Sequence, residues 1–171
     1  MNSHLVLVGL PGAGKTTVGR PVAEKLGVRF VDVDAEIERR EGKTVREIFA
    51  ELGEPHFRKR EREITRELAA KPAMVIAPGG GWVADPANIG LLKPPARLVY
   101  LKVRPSVALA RLGPTRGTRP LLSRPDPLAE IKRLLDERRA AYESADLTVD
   151  TELYDLQGVI DKIVELASAG G

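Results

Sequence analysis

The 171 residues contain no cysteine, so a disulfide framework, a thiolate zinc site and a cysteine nucleophile are all excluded. Aromatic residues are scarce, with one Trp, three Tyr and three Phe. They do not interleave with basic clusters as a base-stacking platform would, so no nucleic-acid partner is expected. No apolar run approaches the ~20 residues needed to span a bilayer, and the first residues lack the basic-then-apolar pattern of a signal peptide. The expected protein is soluble and cytoplasmic, with no membrane partner. Repeats, low-complexity tracts and linker-like stretches are missing too. The chain therefore reads as a single domain, residues 1–171, able to bury roughly 70% of the surface its unfolded form exposes. With no segment left over for an interface, a monomer is expected. The net charge of +3 suits an anionic ligand as well as it suits nucleic acid.

Gly9-Leu10-Pro11-Gly12-Ala13-Gly14-Lys15-Thr16-Thr17 fits the phosphate-loop pattern G-x-x-x-x-G-K-[ST]. An apolar run at residues 4–8 reads as a buried strand before it. Val18, Val22 and Leu26 follow at helical spacing. Strand, glycine loop and helix together let backbone N–H groups from Gly12 to Thr17 surround an anion at a positive helix end. Lys15 can reach the β- and γ-phosphates of a nucleoside triphosphate, and the Thr16 hydroxyl is placed to ligate Mg²⁺. A glycine-rich turn that merely happens to precede Lys and Thr is the bland alternative. Pro21 falls inside the helical pattern and should bend it near Thr17.

Five apolar runs read as strands, at residues 5–8, 28–33, 74–77, 98–103 and 147–149, with helical patterns between them. Alternating β and α segments with unalternating Val/Leu/Ile strands predict a three-layer α/β/α domain around a parallel sheet. The second strand carries Asp32 and Asp34, which period-two geometry puts on one face, delivered beside the phosphate loop. Alternatively, Asp34 caps the next helix and Asp32 is only exposed. In the charged helix that follows, Phe57, Glu61, Ile64 and Leu68 share a face. A carboxylate on that stripe calls for a cation, and Arg58 lies three residues back.

Gly79-Gly80-Gly81 directly follows the third strand and offers bare backbone N–H groups to a ligand, or a flexible turn before Asp85-Pro86. Trp82 next to it could alter how a substrate reaches the site. From Arg111 to Arg124 the chain holds four arginines and no acid, in a Gly/Pro-rich stretch that suits a lid over phosphates. Arg138 shares a helical stripe with Leu128, Ile131, Leu135 and Tyr142, an expensive place for a guanidinium unless it faces a partner or a ligand. The last helix, about residues 156–167, reads as purely structural.

Taken together, these pieces resemble the shikimate kinase family, a branch of the nucleoside-monophosphate-kinase-like P-loop proteins. The resemblance rests on the phosphate loop and on Asp32/Asp34. It continues through Glu47-Ile48-Phe49…Gly53-Glu54-x-x-Phe57-Arg58-x-x-Glu61, the three glycines, Arg119-Pro120-Leu121-Leu122, and Arg138-x-x-x-Tyr142. It implies strand order 2-3-1-4-5 and transfer of the γ-phosphate of ATP to the 3-hydroxyl of shikimate, with Mg²⁺. It further implies a core at 1–110 and 126–171, a substrate-binding helical segment at about 33–61 and a lid at about 112–124.

By matching position, Gly12, Ala13, Gly14, Lys15, Thr16 and Thr17 would hold the phosphates, with Mg²⁺ on Thr16 and near Asp32. Lys15, Asp34 and Arg119 would be catalytic, Asp34 orienting the attacking hydroxyl and Arg119 reaching the γ-phosphate. Arg111 would lie against adenine. Arg58, Arg138, Gly80 and Gly81 would bind the shikimate carboxylate, and Phe49 and Phe57 would line its pocket. The chain departs from the family pattern at Ala140, often Pro, and in lacking a proline among residues 151–155. A sister kinase acting on gluconate would lack the Asp34, Arg58, glycine and Arg138 set. A GTP-binding switch would carry an Asn-Lys-x-Asp segment, which is absent.

Overall fold

The structure is a computed structural model that describes residues 1–113 and 125–169. Five strands, β1 (Leu5–Val8), β2 (Phe30–Asp32), β3 (Val75–Ala77), β4 (Arg97–Lys102) and β5 (Leu147–Asp150), form one parallel sheet in the order β2-β3-β1-β4-β5. Leu5 pairs with Val75 on one side and Arg97 on the other, so β1 is the centre of the sheet. All four β1 residues are buried, as an unalternating apolar strand covered on both faces must be.

Helix α1 (Lys15–Leu26) starts on Gly14 and ends on Gly27, whose left-handed backbone turns its N–H onto the carbonyls of Ala23 and Glu24. It runs through Pro21 and begins at Lys15, three residues earlier than its apolar spacing suggested. Packing against β3 and α8 (Leu156–Ala169) places it over the sheet. On the β2 side, α2 (Val33–Glu41), α3 (Val45–Glu51) and α4 (Glu54–Ala69) pack on one another. Beyond β3 the glycines run into a 3-10 turn, Trp82–Ala84, and then α5 (Pro86–Leu92). α6 (Pro105–Leu112) and α7 (Pro127–Glu143) complete the set and pack together.

Two sequence expectations need correction. The second strand stops at Asp32, because the Asp32 carboxylate accepts a hydrogen bond from the Ala35 N–H at 3.0 Å and starts α2 there. Asp34 thus lies in the first helical turn and not on the strand, and Asp32 is the cap. The stretch before Asp85-Pro86, read alternatively as a flexible turn, forms a 3-10 turn at Trp82–Ala84. Asp85 caps α5 through the Ala87 N–H, with Pro86 in the first turn, the ordinary start signal of a helix. Among the described residues, no helix is long and apolar enough to cross a membrane.

Candidate functional site

At the carboxyl end of β1 the chain turns through the glycine loop. Gly12 has φ +86°, and a Cβ there would lie 2.3 Å from the carbonyl oxygen of Ala108, so only glycine fits. Lys15 Nζ donates to the carbonyls of Gly9 and Leu10 at 2.8 and 3.1 Å, which folds it back over the loop. The Thr16 hydroxyl donates to Asp32 Oδ2 at 3.0 Å, so one carboxylate both caps α2 and holds the first residue pair of α1 to β2.

A cleft of about 480 Å³ runs over this loop. On the β2/β3 side it reaches Asp32, Asp34, Gly79 and Gly80, and on the β4/β5 side Arg111, Thr151 and Tyr154. Arg111 is folded onto Thr151, donating to its hydroxyl at 2.9 Å and its carbonyl at 3.3 Å. Thr151, Tyr154, Leu156 and Val159 are lining residues that sequence reasoning missed, so the first turn of α8 borders the cleft. The available signal was their place just past the carboxyl end of β5, where open α/β sheets gather ligands.

The glycine turn is the second half of the site. A Cβ at Gly79 would come within 2.4 Å of the Asp34 carboxylate, one at Gly80 within 3.3 Å of Arg138 Nη1, and one at Gly81 within 2.3 Å of Arg58 Nη2. Side chains from α2, α7 and α4 thus each close on one of three consecutive glycines. Arg138 is 6% exposed and donates through Nη1 to the Gly80 carbonyl. Arg58 donates through Nη1 to both oxygens of Glu61 at 3.2 Å. Burial pushes the Glu61 carboxyl up to about 7, against the pull of Arg58 and with a further push from the charge of Asp34.

Phe49 and Phe57 meet edge to face at 5.1 Å, and the Arg58 guanidinium lies 5.2 Å from the Phe57 ring centre. Phe57 itself is buried, so it supports Arg58 from beneath. Trp82 does not stand at the mouth of the site. It is fully buried, its indole N–H donating to Thr65 at 2.9 Å, which ties the glycine turn to α4. Arg119 and the proposed lid lie outside the described residues, apart from Leu112 and Gly113 at its start.

A metal among these groups would meet Thr16 and Asp32, both hard oxygen donors. No cluster of three His, Cys, Asp or Glu that could hold a metal occurs among the described residues. That sparse donor set fits Mg²⁺, which keeps several waters and binds through one or two protein groups plus substrate phosphates.

The shikimate kinase family model matches residues 11–168. A shikimate kinase of Thermobifida fusca is 47% identical over 167 residues, covering 96% of this chain and 95% of that protein. One from Pelotomaculum thermopropionicum is 43% identical over 161 residues, covering 94% and 93%. Among solved structures, shikimate kinase from Acinetobacter baumannii in complex with shikimate superposes with a TM-score of 0.92 at 38% identity, covering 99% of this chain and 95% of that one. With the sheet order, the phosphate loop and the glycine turn all in agreement, the chain belongs to the shikimate kinase family.

Proposed function

We propose that this protein transfers the γ-phosphate of ATP to the 3-hydroxyl of shikimate, giving shikimate 3-phosphate and ADP on the route to chorismate and the aromatic amino acids. One observation carries this reading: a carboxylate and two guanidiniums, from three different helices, converge on the glycine turn beside the phosphate loop. That is the complement of a small molecule bearing one carboxylate and vicinal hydroxyls. Arg58 and Arg138, with the Gly80 and Gly81 N–H groups, take the carboxylate in charge-assisted hydrogen bonds. Asp34 accepts from the hydroxyls and points the reacting one at the phosphate. Phe49 and Phe57 form the apolar wall behind Arg58.

The loop amides from Gly12 to Thr17 and the Lys15 ammonium hold the β- and γ-phosphates, and Arg111 with Tyr154 borders the base. Mg²⁺, held by Thr16 with Asp32 beside it, would neutralise phosphate charge as the bond to the leaving oxygen weakens. Asp34 need not be a strong base, because phosphoryl transfer depends mainly on positioning and electrostatic stabilisation. Arg119, in a lid over about residues 112–124, brings a further cation to the γ-phosphate. Residues 33–61 form the acceptor side of a single domain, and the protein is read as a cytoplasmic monomer.

Arg58→Ala tests the division of labour. Truncating one member of a desolvated charge pair costs about 2 kcal/mol or more, so shikimate affinity should fall by roughly thirtyfold or more. Mg·ATP affinity, measured by calorimetry on the same protein, should change less than about twofold. Equal loss of both would show that Arg58 does not belong to the acceptor.

A further inference from the structure

Among the described residues, Arg138 makes its hydrogen bond at one end of the guanidinium. Its Nη1 reaches the Gly80 carbonyl, whereas its Nε is buried and makes no hydrogen bond among the described residues. One helical turn further along α7, the Tyr142 hydroxyl is buried too and makes no well-aligned hydrogen bond among the described residues. Side chains four apart on a helix are neighbours, and both of these lie on the buried face of α7. Burial pushes the Tyr142 phenol up, opposed by the positive charge of Arg138 and by hydrogen-bonding contact with that same side chain.

The Tyr142 ring cannot easily swing away. It is 1% exposed and lies flat against Tyr100 of β4, with ring centres 4.7 Å apart and planes 6° from parallel. A buried donor and a buried acceptor left poorly paired are each costly, and aligning Arg138 Nε–H on the Tyr142 oxygen satisfies both.

We propose that Tyr142 is a positioning residue for Arg138. Its hydroxyl oxygen accepts from Arg138 Nε–H and fixes the guanidinium plane with its Nη edge toward Gly80, while Tyr100 braces the phenol ring from the sheet. This rests on the reading that Arg138 binds the carboxylate of the acceptor. Tyr142 touches no substrate, and its effect travels through the angle at which the guanidinium is presented.

Tyr142→Phe keeps the ring stack and deletes only the hydroxyl. Steady-state kinetics should show KM for shikimate raised about three- to tenfold, the range expected for one hydrogen bond, with kcat and KM for ATP within about twofold of the parent. Tyr100→Phe, which removes the neighbouring hydroxyl, should leave all three unchanged. With the carboxamide analogue of shikimate as acceptor, the Tyr142→Phe penalty should disappear, which a purely structural role would not produce. An unchanged KM, or parallel losses in kcat and both KM values, overturns the proposal.

A second readout uses the unaltered enzyme. The Arg138 Nε–H resonance, assigned by its loss in Arg138→Lys, should lie downfield of free arginine, and a free-arginine shift overturns the proposal even if Tyr142→Phe fails to fold. No shikimate-stimulated ADP release by the parent enzyme would overturn both this proposal and the reading beneath it. Normal parent turnover with unchanged KM in Tyr142→Phe overturns this proposal alone.

Discussion

Glu61 is fully buried, its carboxyl pairs with one guanidinium among the described residues, that of Arg58, and it is raised to about 7 from an ordinary 4.5. A folded-state pKa above the unfolded value means the folded protein holds the proton more tightly. The stability this gives is present in full below pH 4.5 and is lost as pH rises through about 7. The shift corresponds to an upper value of about 3 kcal/mol. Glu61→Gln lacks the titration, so the thermal midpoint of the parent should fall relative to Glu61→Gln between pH 5 and 8. A difference that stays flat with pH would contradict this. Asp34, on the far side of the same cluster, has a different test. Asp34→Asn keeps the shape and removes the charge proposed to orient the acceptor hydroxyl, so kcat should fall by at least about a hundredfold, the range of a positioned proton acceptor. Nucleotide affinity should be retained, and near-normal turnover would refute the orienting role.

At the scale of elements, the glycine turn separates stability from binding. Gly81 has φ −86°, which alanine adopts freely, but a Cβ there would collide with the Arg58 guanidinium at 2.3 Å. That guanidinium is the far end of a flexible side chain and can move. Gly81→Ala should therefore leave the thermal midpoint unchanged or slightly raised, since losing a glycine stabilises by about 0.4–1 kcal/mol where the backbone permits. Shikimate affinity should fall as Arg58 is displaced, and a fall in stability without loss of affinity would place the glycine's role in folding alone.

This turn was legible in the sequence as a run of three glycines after a strand, and Arg138 as a charge on an apolar stripe. What the turn faces was not legible without the family resemblance, because nothing local links Gly79 to Asp34, 45 positions away. The β2–α2 boundary was misread because period-two alternation and a helix cap both use a lone Asp. Only the hydrogen bond from the Ala35 N–H decides between them. Trp82 was misplaced for a related reason: its partner, Thr65, lies on a different element.

For the whole molecule, alternation of β and α segments was enough to announce the layers, and all five strand centres fall where apolar runs stood. The order β2-β3-β1-β4-β5 is a matter of long-range pairing that short runs cannot encode, and it came with the resemblance. That order puts β1 and its loop in the middle, with Asp34, Gly79 and Gly80, proposed for the acceptor, on one side and Arg111 and Tyr154, proposed for the base, on the other. A donor and an acceptor bound at once would meet over Lys15. The most direct test is ADP release from Mg·ATP with shikimate, quinate and gluconate offered in turn. Shikimate should stimulate release far above the others, with one phosphate transferred per shikimate consumed. Stimulation by gluconate with none by shikimate would contradict the account.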